Sequence, residues 1–143
     1  EMGPLGGDEL NRVEKGKNYG WPEVSWGDHY DGRDIPQPKK GSKLEDAEKV
    51  WSPVISPSGM AFYEGEMFPE WEGDALIGGL SARDVVRLEL DGETIEEERL
   101  PLPARIRDVA EAPDGSVLLL TDEKDGHVWR MKRLEPPGRT ASQ

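Results

Sequence analysis

The chain has 143 residues, with 30 Asp and Glu against 18 Lys and Arg, for a formal net charge of -12. A surface this acidic repels phosphate backbones and anionic lipid, which sets nucleic acid and anionic membranes aside as partners. The absence of cysteine excludes disulfides and thiolate metal sites, and no apolar run is long enough to span a bilayer.

The first stretch, Gly3-Pro4-Leu5-Gly6-Gly7-Asp8-Glu9, crowds glycines and a proline where neither a helix nor a strand interior tolerates them. It reads as a turn with a backbone bare of side chains, followed at once by two carboxylates. Such a turn is either an ordinary surface loop or a presenter of carbonyl and carboxylate oxygens to a hard cation. A short strand is expected around residues 10–13. Residues 14–49 lack aliphatic periodicity and form an irregular excursion, longer than connections usually are. Tyr19, Trp21, Val24, Trp26 and Tyr30 are its sparse anchors, expected to bolt it onto apolar surface, with carbohydrate stacking as the alternative. Lys39, Lys40 and Lys43 stand beside Glu45, Asp46 and Glu48, a pattern of a solvated loop rather than a phosphate site.

From residue 50 the texture changes. Extended pieces at 50–54 and 58–63 precede strand-like runs at 74–80, 85–90, 94–100, 105–110, 116–121 and 127–133. Asp91-Gly92, Pro113-Asp114-Gly115 and Lys124-Asp125-Gly126 are the turn signals between them. No segment combines helical periodicity with adequate length, so the fold class is all-β.

The pair of runs at 74–80 and 85–88 is echoed at 116–121 and 128–131, an offset of about 43 residues that suits a four-stranded propeller blade. Residues 50–103 then form a complete blade, and 104–143 a last blade of three strands ending near 134–138. Residues 1–49 form the turn and long loop of a preceding blade. An incomplete blade leaves an edge and half a core open, so the chain made alone is expected to be insoluble or molten. A small independent sandwich is the rival architecture.

Arg105 and Arg107 flank Ile106 and so point to one side of a strand. They are either surface arginines, one of them paired with Asp108, or a cationic fork for a planar anion.

Four runs in order, GPLGGDELN at 3–11, NYGWP at 18–22, PSGMAFY at 57–63 and RIRDV at 105–109, resemble the soluble aldose (glucose-type) sugar dehydrogenases that use pyrroloquinoline quinone (PQQ). The resemblance implies a six-bladed β-propeller, of which this chain is the C-terminal two to three blades. It implies oxidation of the anomeric hydroxyl of an aldose to a lactone by hydride transfer to the quinone. Arg105 and Arg107 would hold the cofactor and stabilise charge on it, with Asp8 and Thr121 near the same face. The carbonyls of Gly3 and Pro4 would bind the calcium ion that touches the quinone. Glu9, the Tyr19 carbonyl and Asp28 would bind a second, structural calcium.

The implied partners are an aldose sugar, the upstream portion of the ring and an unidentified electron acceptor, in a periplasmic or secreted protein. Two positions depart from the pattern: Met2 stands where His or Gln is common, and Ser81 where a quinone-contacting lysine falls. The family's general-base histidine precedes the first motif; His29 and His127 do not match it and are expected at the surface. The alternative function is a sugar- or protein-binding propeller that has lost the cofactor.

Overall fold

The computed structural model describes residues 1–91 and 94–134. Gly92 of the expected hairpin turn and all but the first residue of the expected chain end at 134–138 lie outside them. Among the described residues there are nine strands and one short 3-10 turn, Pro69–Trp71. The strands are β1 (Asp8–Leu10), β2 (Lys49–Trp51), β3 (Pro57–Phe62), β4 (Ala75–Gly79), β5 (Asp84–Glu89), β6 (Glu96–Pro101), β7 (Ile106–Glu111), β8 (Val117–Thr121) and β9 (Val128–Met131). They form three antiparallel sheets, β1-β2, β3-β4-β5-β6 and β7-β8-β9, in which strands adjacent in sequence pair in space.

Two expectations are corrected. The first strand lies at Asp8–Leu10 and not at 10–13, because its partner fixes it. The Gly7 N–H donates to the Trp51 carbonyl and the Glu48 N–H to the Leu10 carbonyl, so pairing starts at the glycine turn itself. The excursion is also not bolted down by its tryptophans. Trp21, Trp26 and Tyr30 are exposed, at 53%, 38% and 79%. The loop is held instead by buried Ile35, by the Leu5–Asp28 backbone bridge and by the Ser25 N–H donating to the Pro36 carbonyl. The Tyr19 hydroxyl adds a local tie, donating to the Arg12 carbonyl and accepting from the Glu14 N–H. Backbone hydrogen bonds do the anchoring that aromatic burial was expected to do.

The central strands β4 and β5 of the four-stranded sheet are covered on both faces. Ala75, Ile77, Val86 and Leu88 pack with Trp51 and Ile55 on one side. Leu76 and Val85 pack with Ile106, Val109, Val117 and Leu119 on the other. This is why the run at 74–80 is nearly continuous in apolar and small residues rather than alternating: every residue of β4 is buried. The two larger sheets approach closely at Gly59, where an added Cβ would lie 1.8 Å from Asp108 Oδ1. Only glycine permits that approach.

Tyr63 closes the second core. Its ring meets Phe68 and Trp71 edge-on. Its buried hydroxyl donates to the Gly115 carbonyl at 2.6 Å and accepts from the Phe68 N–H at 3.0 Å. One phenol thereby ties the loop after β3 to the turn between β7 and β8. Tyr63→Phe strands both backbone groups in the interior and is expected to cost about 1–3 kcal/mol. Urea unfolding of variant and parent checks this; coincident midpoints would mean the hydroxyl holds nothing.

Candidate functional site

The glycine turn is organised by one carboxylate. Asp8 is completely buried; its Oδ1 accepts from the Gly3 N–H at 2.8 Å, and its Oδ2 accepts from the Ile55 and Ser56 N–H groups at 2.7 Å each. A carboxylate receiving three N–H bonds is strongly held, since ionised acceptors make the stronger hydrogen bonds. The turn closes over itself so tightly that a Cβ on Gly3 would sit 2.4 Å from the Gly6 carbonyl oxygen. Gly3 is buried and Pro4 half-buried, yet neither carbonyl receives a hydrogen bond among the described residues. Two backbone oxygens at one turn are thus left with acceptor capacity, a donor set that suits a hard cation.

The second element is the arginine pair. A register shift falls between Ile106 and Asp108, with Ile106 wholly buried. The two arginines nevertheless converge on one carboxylate, and it is Asp122 rather than Asp108. Arg105 Nε donates to Asp122 Oδ2 at 3.0 Å; Arg107 Nε and Nη2 donate to Oδ1 at 3.2 and 3.1 Å. The Asp122 N–H also donates to the Arg105 carbonyl, so backbone and side chain fix the same relationship. Hydrogen bonds from Arg105 and then Arg107 hold the Asp122 carboxyl below the usual aspartate range. Both arginine side chains remain about half exposed, at 45% and 49%. Two guanidinium charges against one carboxylate leave a net positive charge, with both terminal nitrogens of Arg105 and Nη1 of Arg107 uncommitted among the described residues.

These elements share one end of the sheets. Ser56, bonded to Asp8, leads into β3, and the Ser58 hydroxyl lies within hydrogen-bond distance of the Ile106 and Gly78 carbonyls, at 2.7 and 2.9 Å. A short chain of contacts therefore connects the glycine turn to the residue between the two arginines. Thr121 is buried at the end of β8 beside Asp122; its hydroxyl accepts from the His127 N–H. Ser81 is at the same end, its hydroxyl accepting from Ser56 and donating to the Val54 carbonyl. His29 and His127 are both exposed, as expected.

The residues expected at a second ion are arranged less closely. Glu9 and Tyr19 line one cavity of about 360 Å³ with Glu1 and Asn11. Burial, and after it the Glu9 charge, pushes the Glu1 carboxyl up. Asp28 is exposed, paired through its backbone with Leu5, and does not line that cavity. No group of three or more His, Cys, Asp or Glu gathers among the described residues, so carbonyl oxygens would have to complete any ion site.

Sequence reasoning missed Asp122, Ser56 and Ser58. Asp122 follows Thr121 directly, and a carboxylate beside a strand end that pairs with an arginine strand was the available signal. The serines carry none, since their role depends on which carbonyls and amides the sheets bring to them.

A model of the glucose/sorbosone dehydrogenase family matches residues 1–130. The chain is 41% identical over 137 residues to the aldose sugar dehydrogenase YliI of Escherichia coli, covering 92% of this chain and 37% of that protein. It superposes on a crystal structure of a glucose dehydrogenase with a TM-score of 0.86 and 42% identity, over 94% of this chain and 40% of the other. The PQQ-bound form of an aldose sugar dehydrogenase from Streptomyces coelicolor matches with a TM-score of 0.64 and 29% identity, over 91% and 36%. The chain thus spans 33% to 42% of the length of the curated relatives it matches. With the four motifs in order and an all-β architecture that superposes on these enzymes, the chain belongs to the glucose/sorbosone dehydrogenase family.

Proposed function

We propose that the whole protein oxidises the anomeric hydroxyl of aldose sugars to lactones, with pyrroloquinoline quinone supplying the hydride acceptor. Family membership supports an oxidoreductase of this quinoprotein kind. In this reading the chain provides the C-terminal two to three blades of a six-bladed propeller. Residues 1–49 bring the cofactor turn and its loop, 50–103 a full blade, and 104–143 the last blade. The protein works in the periplasm or outside the cell and passes electrons to a separate acceptor. The general base comes from outside these 143 residues.

The observation that carries the reading is the convergence of Arg105 and Arg107 on Asp122, with cationic donors left over. A planar tricarboxylate needs in-plane donors of fixed direction, and a guanidinium gripped by a neighbouring carboxylate has its direction set in advance. Asp122 thus orients both side chains, and the net charge they retain stabilises negative charge developing on the bound ligand. The uncommitted carbonyls of Gly3 and Pro4 suit calcium there, with Asp8 acting on that region through the turn it holds. Thr121 fixes the strand end that carries Asp122. Glu9 and the Tyr19 carbonyl, joined by Asp28, are the donors for a structural calcium that ties down the excursion.

Titration of PQQ into the calcium-loaded whole protein tests the clamp. Arg105→Ala and Arg107→Ala are each expected to weaken binding by about 1–3 kcal/mol, and Arg107→Lys to recover only part of the loss. Identical dissociation constants across the set would remove the arginines from the cofactor site. Failure of the parent to bind would favour a non-catalytic propeller, the direction in which Met2 and Ser81 already lean.

Glu9→Ala is expected to lose much of the calcium-dependent rise in melting temperature while matching the parent in chelator. Equal calcium-dependent rises in the two proteins would take Glu9 off the ligand set. For Asp122, whose pKa is depressed on folding, the ion pairs stabilise the native state above the unfolded pKa and fade as pH falls through the folded one. Its carboxyl resonance should titrate below the usual aspartate range and return to it in the Arg105→Ala/Arg107→Ala double variant. An unchanged midpoint would show that the pairs are not populated in solution.

A further inference from the structure

β3 and β7 belong to different sheets, yet both slip register where they face each other. In β7, Ile106 stands opposite Thr121 and Asp108 opposite Leu120, so Arg107 is the extra residue of a bulge and has no cross-strand partner. In β3, Pro57 stands opposite Gly79 and Met60 opposite Ile77, so the Ser58-Gly59 step also holds an extra residue. The ladder to β8 therefore does not fix Arg107. The facing bulge does. The Ser58 hydroxyl lies 2.7 Å from the Ile106 carbonyl oxygen and 2.9 Å from that of Gly78. A hydroxyl carries a single proton, and the shorter contact is the one to Ile106. Gly59 meets the other flank of the bulge, where an added Cβ would lie 2.8 Å from the Asp108 Cα. Ser58 and Gly59 thus hold the residues on either side of Arg107.

The Ile106 carbonyl depends on that hydroxyl. The preceding carbonyl, that of Arg105, faces β8 and accepts from the Asp122 N–H. Carbonyl direction alternates along a strand, so the Ile106 oxygen faces the opposite edge, and β7 is the edge strand of its sheet. Ile106 is wholly buried, so the donor has to come from the neighbouring sheet. The same oxygen shares one planar peptide unit with the Arg107 N–H. A hydrogen bond to it sets the plane from which the Arg107 side chain departs.

We propose that Ser58 is a positioning residue for the arginine clamp, its hydroxyl setting the Ile106–Arg107 peptide and so the direction in which Arg107 reaches Asp122 and an anionic ligand. The proposal rests on the cofactor-clamp reading above and deepens it by naming what aims Arg107. A bolt that only joined the two sheets would act differently: its loss would lower stability and leave the arginine geometry alone.

The Asp122 carboxyl resonance, titrated in cofactor-free protein, separates the two. Ser58→Ala is expected to raise the Asp122 midpoint to near its position in Arg107→Ala, with no further rise in the double variant. Ser58→Thr keeps a hydroxyl and should stay with the parent. PQQ titrated into the same proteins loaded with calcium should bind roughly 2- to 10-fold more weakly to Ser58→Ala, with the loss restored in Ser58→Thr. An Asp122 midpoint equal in parent and Ser58→Ala would overturn the proposal, whatever happens to the melting temperature. So would rises that add in the double variant, which mean that the hydroxyl acts by another route, and so would an unchanged PQQ affinity. Should Ser58→Ala fail to fold, the parent still answers: its Ser58 hydroxyl proton is expected in slow exchange with water, and fast exchange would overturn the bond itself. The carboxyl titration contains no quinone, so its failure is separate from a failure of the parent to bind PQQ, which would sink the clamp reading alone.

Discussion

The Asp8 carboxylate is the constraint on which the site depends. Among the described residues it bonds at once to the glycine turn, through the Gly3 N–H, and to the entry of β3, through the N–H groups of Ile55 and Ser56. A turn built from glycines carries little conformational preference of its own and loses much entropy when fixed. Three hydrogen bonds to one buried anion, each worth about 1.5–3 kcal/mol when an ionised group takes part, offset that loss and set where the turn stands against the sheet. The turn is pinned through its N–H groups, Gly3 to Asp8, Leu5 to the Asp28 carbonyl and Gly7 to the Trp51 carbonyl, which leaves the Gly3 and Pro4 carbonyls without a partner among the described residues.

A second constraint is that the central strands β4 and β5 of the four-stranded sheet are buried on both faces, so their orientation fixes what packs on them. On one side β2 is locked to the outer strand: Glu97 accepts from Trp51 Nε1 at 3.0 Å and pairs with Lys49 at 2.9 Å. Burial alone would raise the Glu97 carboxyl, but hydrogen bonds from Lys49, Trp51 and Arg99 outweigh it and hold it low. On the other side Ile106 fills the core while its neighbours Arg105 and Arg107 stay at the surface. The apolar residue between the arginines thus serves as their anchor, and the Ser58 hydroxyl ties its carbonyl back to β3.

The chain's acidity bears on this site as well. With a formal net charge of -12, a patch that keeps uncommitted guanidinium nitrogens stands against the field of the rest of the molecule. Such a patch attracts anions only at short range, since exposed charges more than about 8–10 Å away are screened at physiological salt.

What the sequence determined by itself was the part governed by local rules. Alternation and turn residues placed the seven strands from β3 to β9 close to where they lie, the repeat of about 43 residues anticipated two successive meander sheets, and the spacing of Arg105 and Arg107 put both on one side. The motif residues of the glycine turn could likewise be read as a special backbone, because few other sequences tolerate it. Tertiary structure decided the rest. That β1 begins at Asp8 depends on Trp51 being across from it, and that Trp21, Trp26 and Tyr30 are exposed depends on backbone bridges closing the loop without them. The choice of Asp122 over Asp108 as the arginines' partner has the same origin. Asp108 is adjacent in sequence, but a register shift falls between Ile106 and Asp108, while Asp122, just past the end of β8, bonds through its N–H to the Arg105 carbonyl. Sequence neighbours are fixed by the covalent chain; which carboxylate a guanidinium meets is fixed by the strand that the sheet lays next to it.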